Sequence, residues 1–369
     1  MITGTPKWPA IAALTPASGT DIPLSLTSAS RALEKVWALT PSGFDVPVWY
    51  VSRVTVPDFS VILVAGIQRI RAGRALESLL AQDGIERSEV LLFDRAEGFP
   101  DLPGSDHPSV RLHRVPADTL FSVARTEGVH LARAPYVGFL EEHCRARPGW
   151  LAALLQAHQG PWAAIGGEVH HGNGCYGISR LIGVMNYYPW LEPATSGERD
   201  MLPGHNSSFR RDSLLSNGDE LERLLRADVA LFQKLVADGH RLYLESDAKF
   251  EHSNETSLGS IVRGYFYWHR GYGVERARVH RWSLARRALY VAATPLIPFY
   301  FLTKLLVRLQ KIRPDLVSEA LIGTPRILMA QLASASGQAL GLVFGPGNTE
   351  AKFSDYELNE PRKLDPPED

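Results

Sequence analysis

The first strong pattern in the chain is Ser60-Val-Ile-Leu-Val-Ala65, short, apolar and rich in β-branched residues, which predicts a buried strand. Ile70, Leu76, Leu79 and Leu80 then fall on one helical face. Glu89-Val-Leu-Leu-Phe93 repeats the strand pattern and ends at Asp94, and a third strand is expected around Val110–Val115. A helix is expected over Phe121–Ala132, then a strand at Tyr136-Val-Gly-Phe-Leu140 that ends in Glu141 and Glu142. Pro148 opens a helix over Trp150–His158, where its missing N–H does no harm, and Ala163–Gly167 reads as a further strand. Short buried strands alternating with helices predict an α/β fold, a mostly parallel central sheet with helices on both faces.

Outside this block the pattern changes. Residues 1–56 are rich in Pro, Ser, Thr and Ala and read as an N-terminal arm with one short helix near Ser28–Leu39. Residues 57–275 form the α/β domain, 276–347 a helical region, and 348–369 a polar, proline-bearing tail expected to be disordered. Within the helical region Ala288–Thr303 is almost unbroken apolar sequence; as a helix it reaches about 24 Å at ~1.5 Å per residue, short of the ~30 Å hydrocarbon core. Arg276, Arg278, Arg281, Arg286 and Arg287 precede it, and Lys304, Arg308, Lys311 and Arg313 follow. Basic flanks on both sides oppose a single crossing and favour an interfacial or re-entrant segment on anionic lipid. Ile327–Phe344 reads as an amphipathic helix beside it. Burial of both helices against the α/β domain is the competing reading.

Composition narrows the function classes. Hydrophobic residues at 45% and charged residues at 21% exclude a disordered chain, and a net charge of -1 removes any global field for nucleic acid. Two cysteines, Cys144 and Cys175, make neither a disulfide framework nor a zinc ribbon. No basic stretch followed by an apolar run opens the sequence, so no signal peptide is expected.

In open α/β sheets ligands gather at the carboxyl ends of strands, which is where Asp94, Glu141 and Glu142 fall. From Ser60 to His252 the chain resembles the family-2 glycosyltransferases, enzymes of the GT-A fold. The likeness rests on the order of several pieces. They are the first strand with Leu76-Glu-Ser-Leu-Leu-Ala-Gln82, the acid Asp94, Ala124-Arg125 through Gly128, and Ala134-Pro-Tyr136-Val-Gly-Phe-Leu140. Pro148-Gly-Trp150, Pro203-Gly-His-Asn-Ser-Ser-Phe-Arg-Arg211, Ala227-Asp228-Val229 and His252 complete it. The sequence departs from the family where its first-strand loop is Ala65-Gly66-Ile67-Gln68, where Glu141-Glu142-His143 replaces an Asp-x-Asp metal motif, and where Ala227 replaces a Glu.

The resemblance implies a nucleotide-sugar donor, transfer to a hydroxyl acceptor with inversion, and a divalent metal, Mn²⁺ or Mg²⁺. It implies Asp94 and Arg125 at the nucleotide, and Glu141, His143 and His252 at the metal. His205 and Asn206 would stand beside the sugars, and Asp228 would be the general base. Each has a plainer reading: a solvated loop for Glu141–His143, a packed core histidine for His252, and simple stabilisation of a helix N-terminus for Asp228. The aromatic stretch Arg263-Gly-Tyr-Phe-Tyr-Trp-His-Arg270 suits sugar stacking, a lipid interface or a core-facing helix. Together these imply a glycosyltransferase at the cytoplasmic face of a bacterial inner membrane, peripheral or re-entrant. Its acceptor would be a lipid-linked or surface-polysaccharide glycan precursor. The alternative is a non-catalytic nucleotide-sugar-binding membrane subunit of a glycan assembly complex.

Overall fold

The computed structural model of the chain describes residues 56–364; the helix expected near Ser28–Leu39 lies outside them. In chain order the strands are β1 (Phe59–Ala65), β2 (Ser88–Asp94), β3 (Val110–Arg114), β4 (Tyr136–Glu141), β5 (Cys144–Ala146), β6 (Ala164–His171), β7 (Gly197–Arg199), β8 (Ser207–Arg210) and β9 (Leu242–His252). The α/β part carries helices α1 (Arg69–Leu80), α2 (Phe121–Leu131), α3 (Trp150–Ala157), α4 (Gly177–Tyr187), α5 (Arg211–Leu215), α6 (Leu221–Arg226) and α7 (Asp228–Ala237). After it come α8 (Leu258–Val279), α9 (Leu284–Ala292), α10 (Ile297–Ile312), α11 (Val317–Ile322), α12 (Thr324–Phe344) and α13 (Thr349–Asn359).

Successive side chains of a strand face opposite ways, so the apolar run of β1 supplies two cores at once. Phe59, Val61 and Leu63 face α1 and α3, where Leu76, Leu79, Trp150 and Leu151 are buried. Ile62 and Val64 face the other layer, Ala124 and Val129 of α2, Leu224 of α6 and Phe232 of α7. The sheet order is β3-β2-β1-β4-β8-β6-β9-β5, with β7 on β9. β3, β2, β1 and β4 run parallel, as do β6 and β9. β8 runs antiparallel to both β4 and β6, and β5 and β7 run antiparallel to β9. The expected parallel sheet therefore holds for the half that opens the domain, and the other half is mixed.

This order places the site. β1 lies between β2 and β4, with Ala65 opposite Asp94 and Val64 opposite Glu141. The two acids thus flank the end of β1, roughly 10 Å apart at two strand spacings.

The last helices wrap this edge. Ser257 caps α8, its Oγ accepting from Ser260 N at 3.1 Å. α12 lies along α8 so closely that a Cβ at Gly337 or Gly341 would collide with the Phe266 or Arg270 carbonyl oxygen. α12 is long and apolar enough to cross a membrane and is half buried in the protein; α9 and α10 meet the same measure only jointly, across a 52° bend. Leu289, Leu296, Phe299 and Tyr300 on this bent pair are exposed. The described part of the tail, residues 348–364, departs from expectation; residues 365–369 lie outside the described residues. The tail read as disordered instead forms α13, which buries Tyr356 and Leu358 and returns to the sheet edge. Its three prolines lie beyond the helix, at 361, 366 and 367.

Candidate active site

Three of the residues singled out as metal ligands converge. Glu141 closes β4, His143 stands in the turn after it, and His252 closes β9; β5 pairs with β9 so that Cys144 faces His252. Glu141 Oε2 lies 3.3 Å from His143 Nε2 and 3.6 Å from His252 Nε2, and the two Nε2 atoms are 3.1 Å apart. Tyr187 Oη lies 2.9 Å from His252 Nε2. Neither histidine has a hydrogen-bond partner at Nδ1. Burial pushes the His143 imidazole well below its ordinary range, with nearby Arg362 adding to the effect and Glu141 opposing it. Burial also pushes the Cys144 thiol well up, so it stays protonated beside them.

These donors fit a transition ion. Tetrahedral ligation at ~2.0–2.1 Å sets ligand atoms about 3.3 Å apart, and the separations of 3.1, 3.3 and 3.6 Å bracket that edge. Neutral imidazole is the ligating form. Two nitrogens and one carboxylate suit Mn²⁺ or a softer ion; Mg²⁺ prefers oxygen alone.

The adjacent acid turns away. Glu142 is buried, pairs with Arg71 and accepts Gly66 N–H at 2.7 Å, so it ties α1 and the β1 loop to β4. Burial raises its pKa and Arg71 opposes the rise.

Asn206 does not sit free beside a sugar, as the resemblance implied. Its Nδ2 donates to Glu141 Oε2 at 2.8 Å and its Oδ1 accepts Glu141 N–H at 3.0 Å, so it fixes both ends of that residue. His205 precedes it in the 3₁₀ turn Gly204–Asn206; its side chain is outside the described residues. Arg125, on α2, lies 3.7 Å from Glu141 Oε1 and over the rings of Phe121 and Phe139, with Nη1 unpartnered. Burial lowers its pKa, while Glu141 and Asp228 oppose that.

Asp228 opens α7 and is buried, one oxygen accepting Val229 N–H at 2.9 Å. Its other oxygen stands over the turn of Gly204, where a Cβ would strike it. Asp228 and Glu141 line the same cavity of about 600 Å³, walled by Tyr187, Trp190, Trp268, Tyr272 and Arg276 and reaching Tyr300 and Lys304 of α10. The aromatic stretch of the sequence is thus a wall of this cavity, on α8.

Asp94 stands apart. It does not line that cavity, and both its oxygens are taken by Arg69, at 2.8 and 2.9 Å. Arg210 and Arg211 bind backbone carbonyls of Gly160, Trp162 and Val129 and serve the fold.

Sequence reasoning missed four residues near the site: Tyr187, Arg95, Arg362 and Glu357. Burial lifts the Glu357 carboxyl to about 7, with Arg362 opposing and Glu141 and Glu255 adding. One signal was present. Arg69, Arg71 and Arg74 crowd the start of α1, where the helix dipole disfavours cations, so anionic partners were required. Asp94 and Glu142 are two of them.

Residues 61–216 match the family model described as Glycosyl transferase family 2. The matched stretch contains Asp94, Arg125, Glu141, His143 and Asn206, while Asp228 and His252 lie beyond it. No curated protein matches the chain.

Proposed function

From the match of residues 61–216 to the glycosyl transferase family 2 model, we propose that the protein belongs to that family and moves a sugar from a nucleotide-diphosphate donor to an acceptor hydroxyl with inversion. Glycosyl transfer is the reaction class of the domain; the finer assignments rest on the site. The observation that carries them is the single cavity onto which Glu141 and Asp228 both open.

Asp228 takes the proton of the acceptor hydroxyl as that oxygen bonds to the anomeric carbon. The bond from that carbon to the diphosphate oxygen breaks on the opposite face, and one displacement inverts the centre. Glu141, His143 and His252 would hold a divalent ion, which supplies Lewis-acid charge to the leaving diphosphate. Asn206 keeps Glu141 aimed, and Arg125 adds positive charge behind it. Asp94 would accept from the nucleobase once Arg69 moves off it.

The acceptor is read from the far end of the cavity. Trp190 and Trp268 line it with aromatic surface suited to sugar rings, with Tyr272 stacked on Trp268 at 4.9 Å. Arg276 lies over Tyr272, Trp282 and Tyr290 with Nε and Nη2 unpartnered, a cation suited to an anionic group. The cavity ends against α10, whose Phe299, Val307 and Ile312 are exposed between basic flanks. These features support a lipid-linked or surface-polysaccharide precursor, taken at the cytoplasmic face of a bacterial inner membrane with α9 and α10 on the lipid.

The test is turnover of a panel of UDP- and GDP-sugars with Mn²⁺, with and without vesicles containing anionic lipid. Hydrolysis or transfer that disappears in Asp228→Asn supports the reading. Nucleotide binding without turnover of any donor would instead mark a non-catalytic binding subunit.

A further inference from the structure

The cleft that would take the nucleotide is filled by the protein's own C-terminus. A donor bridging Asp94 and the Glu141 cluster must cross the end of β1 at Gly66. The Leu358 carbonyl lies there so closely that a Cβ on Gly66 would collide with it. Asn359 Oδ1 accepts Ile67 N–H at 3.3 Å, and Asn359 O accepts Gln68 Nε2 at 2.9 Å. At the start of α2, Phe121 N–H donates to Ser354 Oγ at 3.1 Å and Ser122 Oγ to Glu350 at 2.5 Å. A loop amide after β1 and a helix N-terminus are groups that elsewhere hold phosphate, and here the tail satisfies both.

The segment brings acids to the cleft, offset in part by its own Lys352, Arg362 and Lys363. α13 and the residue after it carry Glu350, Asp355, Glu357 and Glu360. Beneath and beside them lie Arg71, Arg95, Arg125 and Arg226. Glu350 pairs with Arg226 at 2.7 Å and the Glu357 carbonyl accepts Arg71 Nη2 at 2.9 Å, while the Glu357 carboxylate pairs with Arg362 of its own segment at 2.9 Å. The floor is not fully used, however. Arg95 and Arg125 are each 6% exposed, yet Arg95 Nε and Nη1 and Arg125 Nη1 have no hydrogen-bond partner. Buried guanidinium N–H groups left open are unfavourable unless something anionic meets them. The helix closes the cleft without meeting all of its demand.

Resting on the donor reading above, we propose that residues 349–363 are a pseudo-ligand that occupies the nucleotide cleft and competes with the donor for it. Donor binding then requires α13 to leave, and its diphosphate replaces the segment's carboxylates over the arginine floor. The segment is held by hydrogen bonds along a polar seam, which an incoming anion can exchange, and by packing of Tyr356, Leu358 and Phe353, the last on the Phe121 ring, which must be given up when it leaves. Apparent donor affinity is lowered by the fraction of molecules in which the tail is seated.

The experiment uses the full chain and two probes, UDP and GDP, each with Mn²⁺. Hydrogen exchange reports on 349–360, and calorimetry reports affinity. A latch variant, Ser354→Ala with Asn359→Ala, loosens the tail without touching the metal cluster or Asp228; a chain ending at residue 348 removes it. Binding of UDP or GDP is expected to raise exchange across α13. The latch variant should bind about tenfold more tightly, the effect of two lost hydrogen bonds that had favoured the closed form. If nucleotide binds while α13 stays protected and the latch variant binds no better, the segment is a fixed wall and the proposal is overturned. If neither probe binds the full chain, the latch variant or the folded truncation, the donor reading itself fails, and the proposal with it.

Discussion

The Nε2 atoms of His143 and His252 stand 3.1 Å apart across 109 positions of sequence. The antiparallel pairing of β5 with β9 brings them together, and burial holds the His143 ring in its neutral form. At this distance one Nε2 donates to the other, and the adjoining Glu141 oxygen makes the third corner of a ligand triangle.

Metal binding should therefore depend on a residue that is itself no ligand. Asn206→Ala frees both ends of Glu141 and should weaken Mn²⁺ or Zn²⁺ binding about 10–100-fold, the usual effect of losing an orienting partner. His252→Ala should remove specific binding altogether. Calorimetry on metal-stripped protein reads both, and wild-type affinity in Asn206→Ala would remove Glu141 from the ligand set.

Asp228→Asn keeps the shape of the side chain and its place at the start of α7. We expect turnover to fall about 10²–10⁴-fold, with nucleotide affinity nearly unchanged. A variant that turns over at the wild-type rate leaves Asp228 without the assigned role.

Gly204→Ala gives an independent reading of the same carboxylate. The added methyl would displace Asp228 from its position over the turn. A shift near 1 Å can lower turnover on the order of 10²-fold. The melting temperature, followed by circular dichroism, should change far less than the rate. Full activity would mean that the position of the carboxylate is unimportant.

Stability should decline in mild acid, in part through His158. This ring is buried, stacks on Tyr136 at 4.3 Å, and lies 2.9 Å from Ser208 Oγ. Burial, helped by Arg210, lowers its pKa to about 3. The unfolded chain protonates His158 below its ordinary pKa of about 6.5, while the native state does not. Its contribution is thus whole above that value and lost as the pH falls toward 3. Between pH 7 and pH 5 that amounts to about 2 kcal/mol. Urea unfolding at the two pH values should show a smaller loss in His158→Gln; an identical loss would shift the effect to other groups.

What the sequence made legible was local. The runs at Ser60–Ala65 and Glu89–Phe93 state their strands outright, because beyond their first residues, Ser60 and Glu89, strands buried on both faces carry unbroken apolar sequence. Glu141, His143 and Asp228 could be placed at element ends, and there they meet. Asn206 was assigned to substrate because a sequence does not reveal that an amide has already found a carboxylate 65 positions away. Asp94 likewise met Arg69. The tail was misjudged for a related reason: Glu350 and Ser354 read as solvated surface when no partner is in sight, whereas Arg226 and the Phe121 amide await them in the fold. Tyr187 left no local signal, since a tyrosine on an apolar helix face reads as core.

The glycine seam between α8 and α12 also bears on how a bulky acceptor could enter. With Gly337 and Gly341 pressed on the carbonyls of Phe266 and Arg270, those two helices behave as one riveted plate and cannot slide apart to widen the chamber. α10 is fastened by Leu305 and Leu309, buried in the core, and by Arg308 to the Tyr188 hydroxyl and Arg313 to the Leu191 carbonyl, at 3.1 and 2.7 Å. What gives this region its shape is therefore the 52° elbow between α9 and α10, which turns the exposed Leu289, Leu296 and Phe299 outward beside the chamber.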